Sequence, residues 1–588
     1  MNFETAFTRP SEILYACIRD NDLDRLRNLL ASGQHSLIHA QSPWGTPLDV
    51  AVRCDNIAAA EILLGAGENP LDDGGDSDLY TTAMELAALK GQRGMSRLFR
   101  DALESRRLLD MDIDGDLEER RGLLARCLWK AAAYGHGDLV ADYLDWEALP
   151  WSAGSKEVAL RQAAGRWENG VVDVLLSKAN YDMEALEKAL SAAVNLKFTL
   201  IDEERTGVSY EEADHTKQYN VVTRLLDAGC DANGLERGTP LLHLAISSIV
   251  LQGSLRALLE RGIDPDTKHE RGRTALQILT CPIPLYGRGP RTVLHEAGIR
   301  LLLSKGANVT TGDDEGETPL CWAAMNCSTD IFRLYLSHCV DRDAALSSRN
   351  LHGETLLHYA AAGGQYDTIE FLLGCGVDVN AISDNGWTPL ICALTPTVLG
   401  QLPGRFGGRT KTEIDAMKSA KLLLSHGADP TVVTSEGWTT IHFVGSYTNR
   451  ETETDAAALT RELLARPSMP TLNTPAQGFD RLWLPRISDS AKRDLFGSEP
   501  WGFRIGKTLA RCAATETAVV KHGLTPLHWA AERGAVGVVK VLVAAGADPT
   551  ARDSVGATPL KLAVKSELLK YNEDIREELR VILKDGGY

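Results

Sequence analysis

Apolar and polar positions along this chain alternate between two short rhythms. Gly523-Leu524-Thr525-Pro526-Leu527-His528-Trp529-Ala530-Ala531 opens a compact apolar stretch, followed by Gly534. A second stretch carries Val538-Val539 and Val541-Leu542-Val543, and Gly546-Ala547-Asp548-Pro549 closes the unit. Apolar residues three and four apart, as in Ile369, Leu372 and Leu373, mark one face of a helix. The predicted unit is therefore helix, turn, helix and a tight connection. It recurs: Gly556 follows Gly523 by 33 residues, and Gly386 follows Gly353 by 33.

Each recurring residue has a mechanical reason. The Thr of Thr-Pro-Leu caps a helix, its hydroxyl accepting from an otherwise orphaned amide. Pro at the first helical position lacks a donor that would go unused. Leu and paired alanines make a slim helix that neighbours can approach closely. Gly376, Gly427 and Gly546 stand where the second helix stops and a left-handed residue is wanted. One such unit cannot bury its own apolar face, so stability has to come from neighbours leaning on one another.

Hairpin, both helices and the Gly-Ala-Asp ending recur together, and the whole pattern resembles the ankyrin repeat family. Clear copies begin near Gly45, Gly238, Gly272, Gly316, Gly353, Gly386, Gly437, Gly523 and Gly556. Weaker ones span Ser11–His39, Leu79–Leu103, Leu117–Trp146, Glu157–Asn180 and Glu184–Asn233. The resemblance implies an all-α repeat solenoid, with stacked helix–turn–helix units, short β-hairpin loops and about 14 repeats. The expected organisation is divergent repeats over 11–233, repeats with insertions over 234–466, an insertion over 467–521 and C-terminal repeats over 522–586. There are departures: Leu356 and Thr440 replace the Pro, and Cys327 replaces the glycine between helices.

Four repeats carry extra residues between their first and second helices, at Lys197–Lys217, Cys281–Pro290, Thr395–Thr412 and Tyr447–Asp455. Loop growth of this kind costs little entropy, and a shared register places the extra residues along one edge. The 467–521 stretch is punctuated by prolines but also holds Phe479, Trp483, Phe496, Trp501 and Phe503. A pure linker would be poorer in aromatics, so part of it is expected to fold against the array as a decayed repeat with a long loop.

Composition changes the picture little and charge somewhat more. The 588 residues are 44% apolar and 24% charged, as in an ordinary soluble protein. With 62 basic and 80 acidic side chains, the formal charge is -18, which disfavours non-specific binding to nucleic acid. Eleven scattered cysteines without Cys-x-x-Cys read as buried free thiols in a reducing compartment. No leader, spanning helix or lipidation box is apparent, so residence in the cytoplasm or nucleus is expected.

Candidate chemistry is sparse. Gly506-Lys507-Thr508 lacks the first glycine of a phosphate loop, because Trp501 occupies that position. His358, His442 and His528 fill the family's Thr-x-x-His slot, where the resemblance implies a bond to neighbouring backbone. Asp72-Asp73 and Asp313-Asp314 fall at predicted turns, and turn chemistry explains them. No catalytic, cofactor or metal residues are assigned. The resemblance implies instead a protein partner, contacted by hairpin tips and the concave side of the first helices. The residues beside the tip glycines then become candidates: Asn385, Trp387, Glu436, Trp438, His352, Glu354, Glu317 and Leu524. Exposed tryptophans on adjacent tips would be interface anchors, unless each packs on its neighbour's hairpin. The expected function is a monomeric interaction scaffold. The alternatives are an adaptor for ubiquitin-ligase substrate recruitment or transcription co-regulation, and, more remotely, an enzyme on a repeat scaffold.

Overall fold

The computed structural model describes residues 10–31, 45–72, 82–105, 117–147, 151–194, 215–247 except 237, 252–280 except 270 and 271, 296–395 except 315, 413–466 except 436 and 446–449, 472–476, and 523–585 except 567, 568, 570 and 571. The chain divides into two compact units, Met1–Ile263 and Asp264–Tyr588.

The first unit is a run of helix pairs. They are α1 and α2 (Pro10–Arg19, Leu23–Ala31), α3 and α4 (Pro47–Arg53, Ile57–Gly65), α5 and α6 (Ala83–Lys90, Arg93–Ser105), and α7 and α8 (Leu117–Ala133, Gly137–Leu144). Then come α9 and α10 (Ala153–Gly165, Asn169–Lys178), α11 and α12 (Met183–Val194, His215–Asp227), the hairpin β1–β2 (Leu235–Glu236, Thr239–Pro240), and α13 and α14 (Leu241–Ser247, Gln252–Glu260). Each first helix touches the first helix of the next pair, from α1 through α13. The weak sequence copies fold as well as the strong ones because their inner faces are small. Ala131, Ala132, Ala163, Ala164 and Ala193 are all buried. Where a glycine is missing from the turn between helices, Asn21, Asp55 and Trp167 adopt the left-handed conformation instead.

The second unit repeats the plan. It comprises α15 and α16 (Ala275–Thr280, Glu296–Ser304), α17 and α18 (Pro319–Asn326, Thr329–Ser337), a short extra helix α19 (Arg342–Leu346), α20 and α21 (Leu356–Gly363, Tyr366–Gly374), and α22 and α23 (Pro389–Leu394, Glu413–Ser425). The last pairs are α24 and α25 (Thr440–Val444, Arg450–Leu464), α26 and α27 (Pro526–Arg533, Val536–Ala544), and α28 and α29 (Pro559–Lys565, Glu573–Asp585). First helices again touch in sequential order, α15 to α28. Each unit is thus an all-α repeat solenoid with hairpin loops. The caps form as expected: Thr318 Oγ1 accepts from Cys321 N at 3.2 Å, and Thr388 Oγ1 from Ile391 N at 3.3 Å. Leu356 and Thr440 still start helices, since the first helical position requires no proline.

The insertions need two corrections, the first being that His215 to Lys217, expected as loop, open α12. Arg450 to Asp455, expected as loop, form the first turns of α25. That extension has a use. Glu453 Oε1 accepts from Gly537 N at 2.8 Å, so it caps the start of the next second helix, α27, whose own N-cap is Ala535. The stretches 197–214, 281–290 and 396–412 lie outside the described residues.

Candidate functional site

In the second unit the connections form a ladder of closed four-residue turns. Asn350 N donates to Glu354 O at 3.0 Å, Ser383 N to Trp387 O at 2.9 Å, Thr434 N to Trp438 O at 2.9 Å, and Asp553 N to Ala557 O at 3.0 Å. In each, the third residue after the opener is a glycine at positive φ, namely Gly353, Gly386, Gly437 and Gly556. Successive turns bond edge to edge: Asp384 N donates to His352 O at 2.9 Å and Ser435 N to Asn385 O at 3.0 Å. The tip glycine also clears the way for its neighbour. A Cβ on Gly316 would lie 2.9 Å from Leu351 N, and one on Gly437 would lie 2.7 Å from Pro475 O.

The 467–521 insertion belongs to this ladder. Ala476 N donates to Leu524 O and Gly523 N to Ala476 O, both at 2.8 Å. These are the bonds that Ser383, Gly386 and Trp387 make. In the ordinary turn only Asp384 and Asn385 separate the corresponding bonded residues. Residues 472–476 form one arm of a split hairpin whose other arm is Gly523 and Leu524, and the decayed repeat expected within 477–521 falls outside the described residues. Asn473 Oδ1 accepts from Asp548 N at 2.9 Å, as Asn380 Oδ1 accepts from Asp429 N at 2.7 Å, so the ladder continues past the split. The remainder of the insertion lies outside the described residues.

After Gly316, Gly386, Gly437 and Gly523 the next residue turns inward, which is the packed alternative of the sequence reading rather than the exposed anchor. Trp387 is 4% exposed, Trp438 2%, Leu524 1% and Glu317 5%. The pleat of the hairpin is the cause: the position that exchanges backbone bonds with the turn opener points its side chain at the first helices. Trp438 stacks on Phe443 at 5.3 Å and meets Trp529 edge-on at 5.5 Å, while Trp387 lies 5.8 Å from Phe443. These tryptophans are core, and they are withdrawn as surface anchors. Asn385, His352 and Glu354 are half-buried at the tips, and Glu436 lies outside the described residues.

The histidine slot does what the resemblance implied. His358 Nδ1 accepts from Thr355 N at 3.1 Å, and His358 Nε2 reaches Trp387 O of the next repeat at 3.0 Å. His442 makes the same pair of contacts with Thr439 N at 3.2 Å and Leu524 O at 3.2 Å, and His528 with Thr525 N at 3.3 Å and Ala557 O at 3.1 Å. With Nδ1 accepting, the proton is assigned to Nε2, which donates. Burial pushes His358 and His442 down to about 4, so both rings are neutral. Gln277 replaces the histidine two repeats before His358. Its Oε1 accepts from Thr274 N at 2.8 Å and its Nε2 donates to Glu317 O.

Cys321 cannot form this clamp, and a polar knot bridges the same interface. Arg273 Nε bonds to Asp313 Oδ2 at 3.3 Å, and Arg273 Nη2 approaches Glu317 Oε2 at 3.8 Å. Tyr359 OH donates to Glu317 Oε1 at 2.9 Å, and Asn350 Nδ2 donates to Tyr359 OH at 3.0 Å and Glu354 Oε2 at 2.7 Å. Burial, reinforced by Asp313, pushes the Glu317 carboxyl up to about 8. Asp313 is therefore more than a turn residue. The sequence signal for the knot was the residue before each helix-capping Thr, read down the repeats: Arg273, Glu317, Glu354, Trp387, Trp438.

Almost nothing of the first helices reaches the surface here. Every residue of α22, α24 and α26 is buried, and in α17 and α20 only Asn326 and Gly363 are half-buried. The hairpin tips, by contrast, include the exposed residues Leu351, Asp384 and Ser435. Among the described residues no group of acidic, cysteine or histidine side chains could hold a metal ion, and no helix is long and apolar enough to cross a membrane.

Comparison with known proteins agrees with this geometry. The family described as "Ankyrin repeats (3 copies)" matches residues 292–383 and 345–397, and "Ankyrin repeat" matches 522–554. The chain is similar to mouse palmitoyltransferase ZDHHC13, 28% identical over 39% of this chain and 31% of that protein. It is 28% identical to the mouse B-cell lymphoma 3 protein homolog over 32% of this chain and 39% of that one. Human ankyrin repeat and SOCS box protein 16 is 26% identical over 44% of this chain and 49% of that protein. The chain thus spans a third to a half of the length of these relatives. An ankyrin repeat domain from Acinetobacter baumannii is 26% identical, covering 37% of this chain and 96% of that domain, with a TM-score of 0.26.

Proposed function

This chain is an ankyrin-repeat protein, and on that premise we propose that it is an interaction scaffold that holds a protein partner on the hairpin row of its second unit. Ankyrin repeats imply protein partners. The observation that supports this placement is the inversion of exposure. The first helices from α17 to α26 give almost all of their surface to the core, while the turn tips Leu351, Asp384 and Ser435 stay exposed on a rigid, hydrogen-bonded ladder. Contact through the tip row replaces contact through Trp387 and Trp438.

The test is affinity capture from native lysate, with the full chain as bait beside a variant carrying Leu351→Ser, His352→Ser, Asp384→Ser and Asn385→Gly. A partner retained by the parent and lost by the folded variant supports the placement. Retention by both moves the contact elsewhere, and the absence of any specific partner sinks the scaffold reading.

An adaptor is the second reading. The split hairpin favours it, because the chain departs after Ala476 and rejoins the ladder at Gly523, two residues bonded to each other. Deleting 477–522 and joining the arms through Asp-Asn should remove one class of partner and leave another. Loss of both or of neither rejects the adaptor.

A further inference from the structure

We infer that the outer edge of the hairpin row, from Arg349 through Ile382, Val433 and Pro475 to Arg552, receives a partner segment with an aliphatic centre and acidic flanks. This rests on the scaffold reading above and specifies the chemistry of the partner.

The residue preceding each turn opener holds one equivalent place per hairpin. Read along the unit, these residues are Lys268, Gly312, Arg349, Ile382, Val433, Pro475 and Arg552. Adjacent members touch: Lys268 Nζ donates to Gly312 O at 3.0 Å, and Arg349 Nη1 to Ile382 O at 2.9 Å. In the middle of the row Ile382 is 49% exposed and Val433 42%. Scattered single aliphatics on a surface are ordinary. Neighbours on successive rungs of one rigid ladder form a patch.

The ends of the patch are cationic. Lys268, Arg349 and Arg552 are exposed, and each spends donors on backbone carbonyls: Arg349 Nη1 on Gly353 O at 2.6 Å and Arg552 Nη1 on Gly556 O at 3.0 Å. None of the three is in an ion pair among the described residues, although other exposed cations, such as Arg93 with Asp142 and Arg300 with Glu296, are paired. Asp384 and Asp314 are exposed acids at the neighbouring tips. Cations whose planar forks retain N–H donors suit carboxylates, and the aliphatic centre suits apolar side chains.

The experiment selects a random peptide library displayed on phage against the full chain, then measures one synthesised selected peptide. Selected sequences should carry adjacent aliphatics flanked by Asp or Glu. Binding should fall about tenfold or more in Arg349→Glu/Arg552→Glu, fall again in Ile382→Ser/Val433→Ser, and weaken with added salt. Both variants change exposed side chains, and unchanged circular dichroism certifies their fold. Peptides without acids, or affinity unchanged by both variants, overturn the assignment while leaving the scaffold reading intact. Retention of phosphatidylserine vesicles through the same residues also overturns it. A lysate capture that finds no partner removes the scaffold reading itself.

Discussion

Replacing Glu317 with Gln takes one ionisable group out of the most crowded buried charge cluster described. Two carboxylates, Asp313 and Glu317, face a single guanidinium, Arg273, with Glu354 adding its charge, the Tyr359 hydroxyl on Glu317 Oε1 at 2.9 Å and the Cys321 thiol close by. Burial and the Asp313 charge hold the Glu317 carboxyl at about 8, against an ordinary value of 4.5. Between those values the folded chain carries a proton that the unfolded chain has released. The stability tied to that proton is complete below the ordinary carboxyl range. It declines by about 1.4 kcal/mol per pH unit and is gone once the pH has risen through the folded value. From about pH 6 to about pH 7.5 the loss amounts to roughly 2 kcal/mol. Gln cannot titrate, so the variant lacks this slope while keeping an acceptor for Tyr359. Repeat arrays open piecewise, so the readout should be local. Hydrogen–deuterium exchange of the α17 amides, corrected for the intrinsic pH dependence of exchange, gives the opening free energy of that repeat. Parallel pH profiles for parent and Glu317→Gln would refute the assignment of the proton.

The histidine clamps carry the opposite sign. With His358 and His442 at about 4 in the folded chain and an ordinary value of 6.5, their stabilisation is present above 6.5 and lost as pH falls through that window. His358→Gln/His442→Gln, copying Gln277, should keep the bonds and flatten the acid limb of a urea-midpoint profile; an unchanged limb would place the acid sensitivity elsewhere. Trp438→Ala should cost about 3–5 kcal/mol in thermal or urea unfolding, because it empties a site walled by Phe443 and Trp529. A loss under about 1 kcal/mol would restore Trp438 to the surface. Glu453→Ala should cost about 1 kcal/mol and speed exchange of the first amides of α27, with α25 itself unaffected.

The repeat was legible because local chemistry writes it. Thr-Pro-Leu starts helices, left-handed glycines stop them, and paired alanines set the approach of neighbours; none of these needs a distant partner. The divergent pairs were legible for the same reason, through Ala131-Ala132 and Gly135 rather than through the capping Thr. The site was only partly readable. Trp387 and Trp438 flank tip glycines, and adjacency to a tip suggested exposure. Their inward turn is set by the hairpin pleat and by rings far along the chain, Phe443 and Trp529. The Arg273–Asp313–Glu317–Tyr359 knot likewise joins side chains from successive repeats, so no single copy displays it. The exposed Ile382 and Val433 went unmarked because one aliphatic per hairpin is invisible until the copies are laid side by side.

The bonded pair Ala476 and Leu524 has a consequence for how such a chain can lengthen. A turn whose closing bonds lie below its apex is indifferent to how much polypeptide forms the apex. New sequence acquired there leaves helix contacts, caps and clamps as they were, and its only thermodynamic toll is that of joining two ends already in place. Comparable openings exist between Asp384 and Asn385 and between Ser554 and Val555. At these points a foreign domain could be grafted while the stack beneath continues to fold on its own terms.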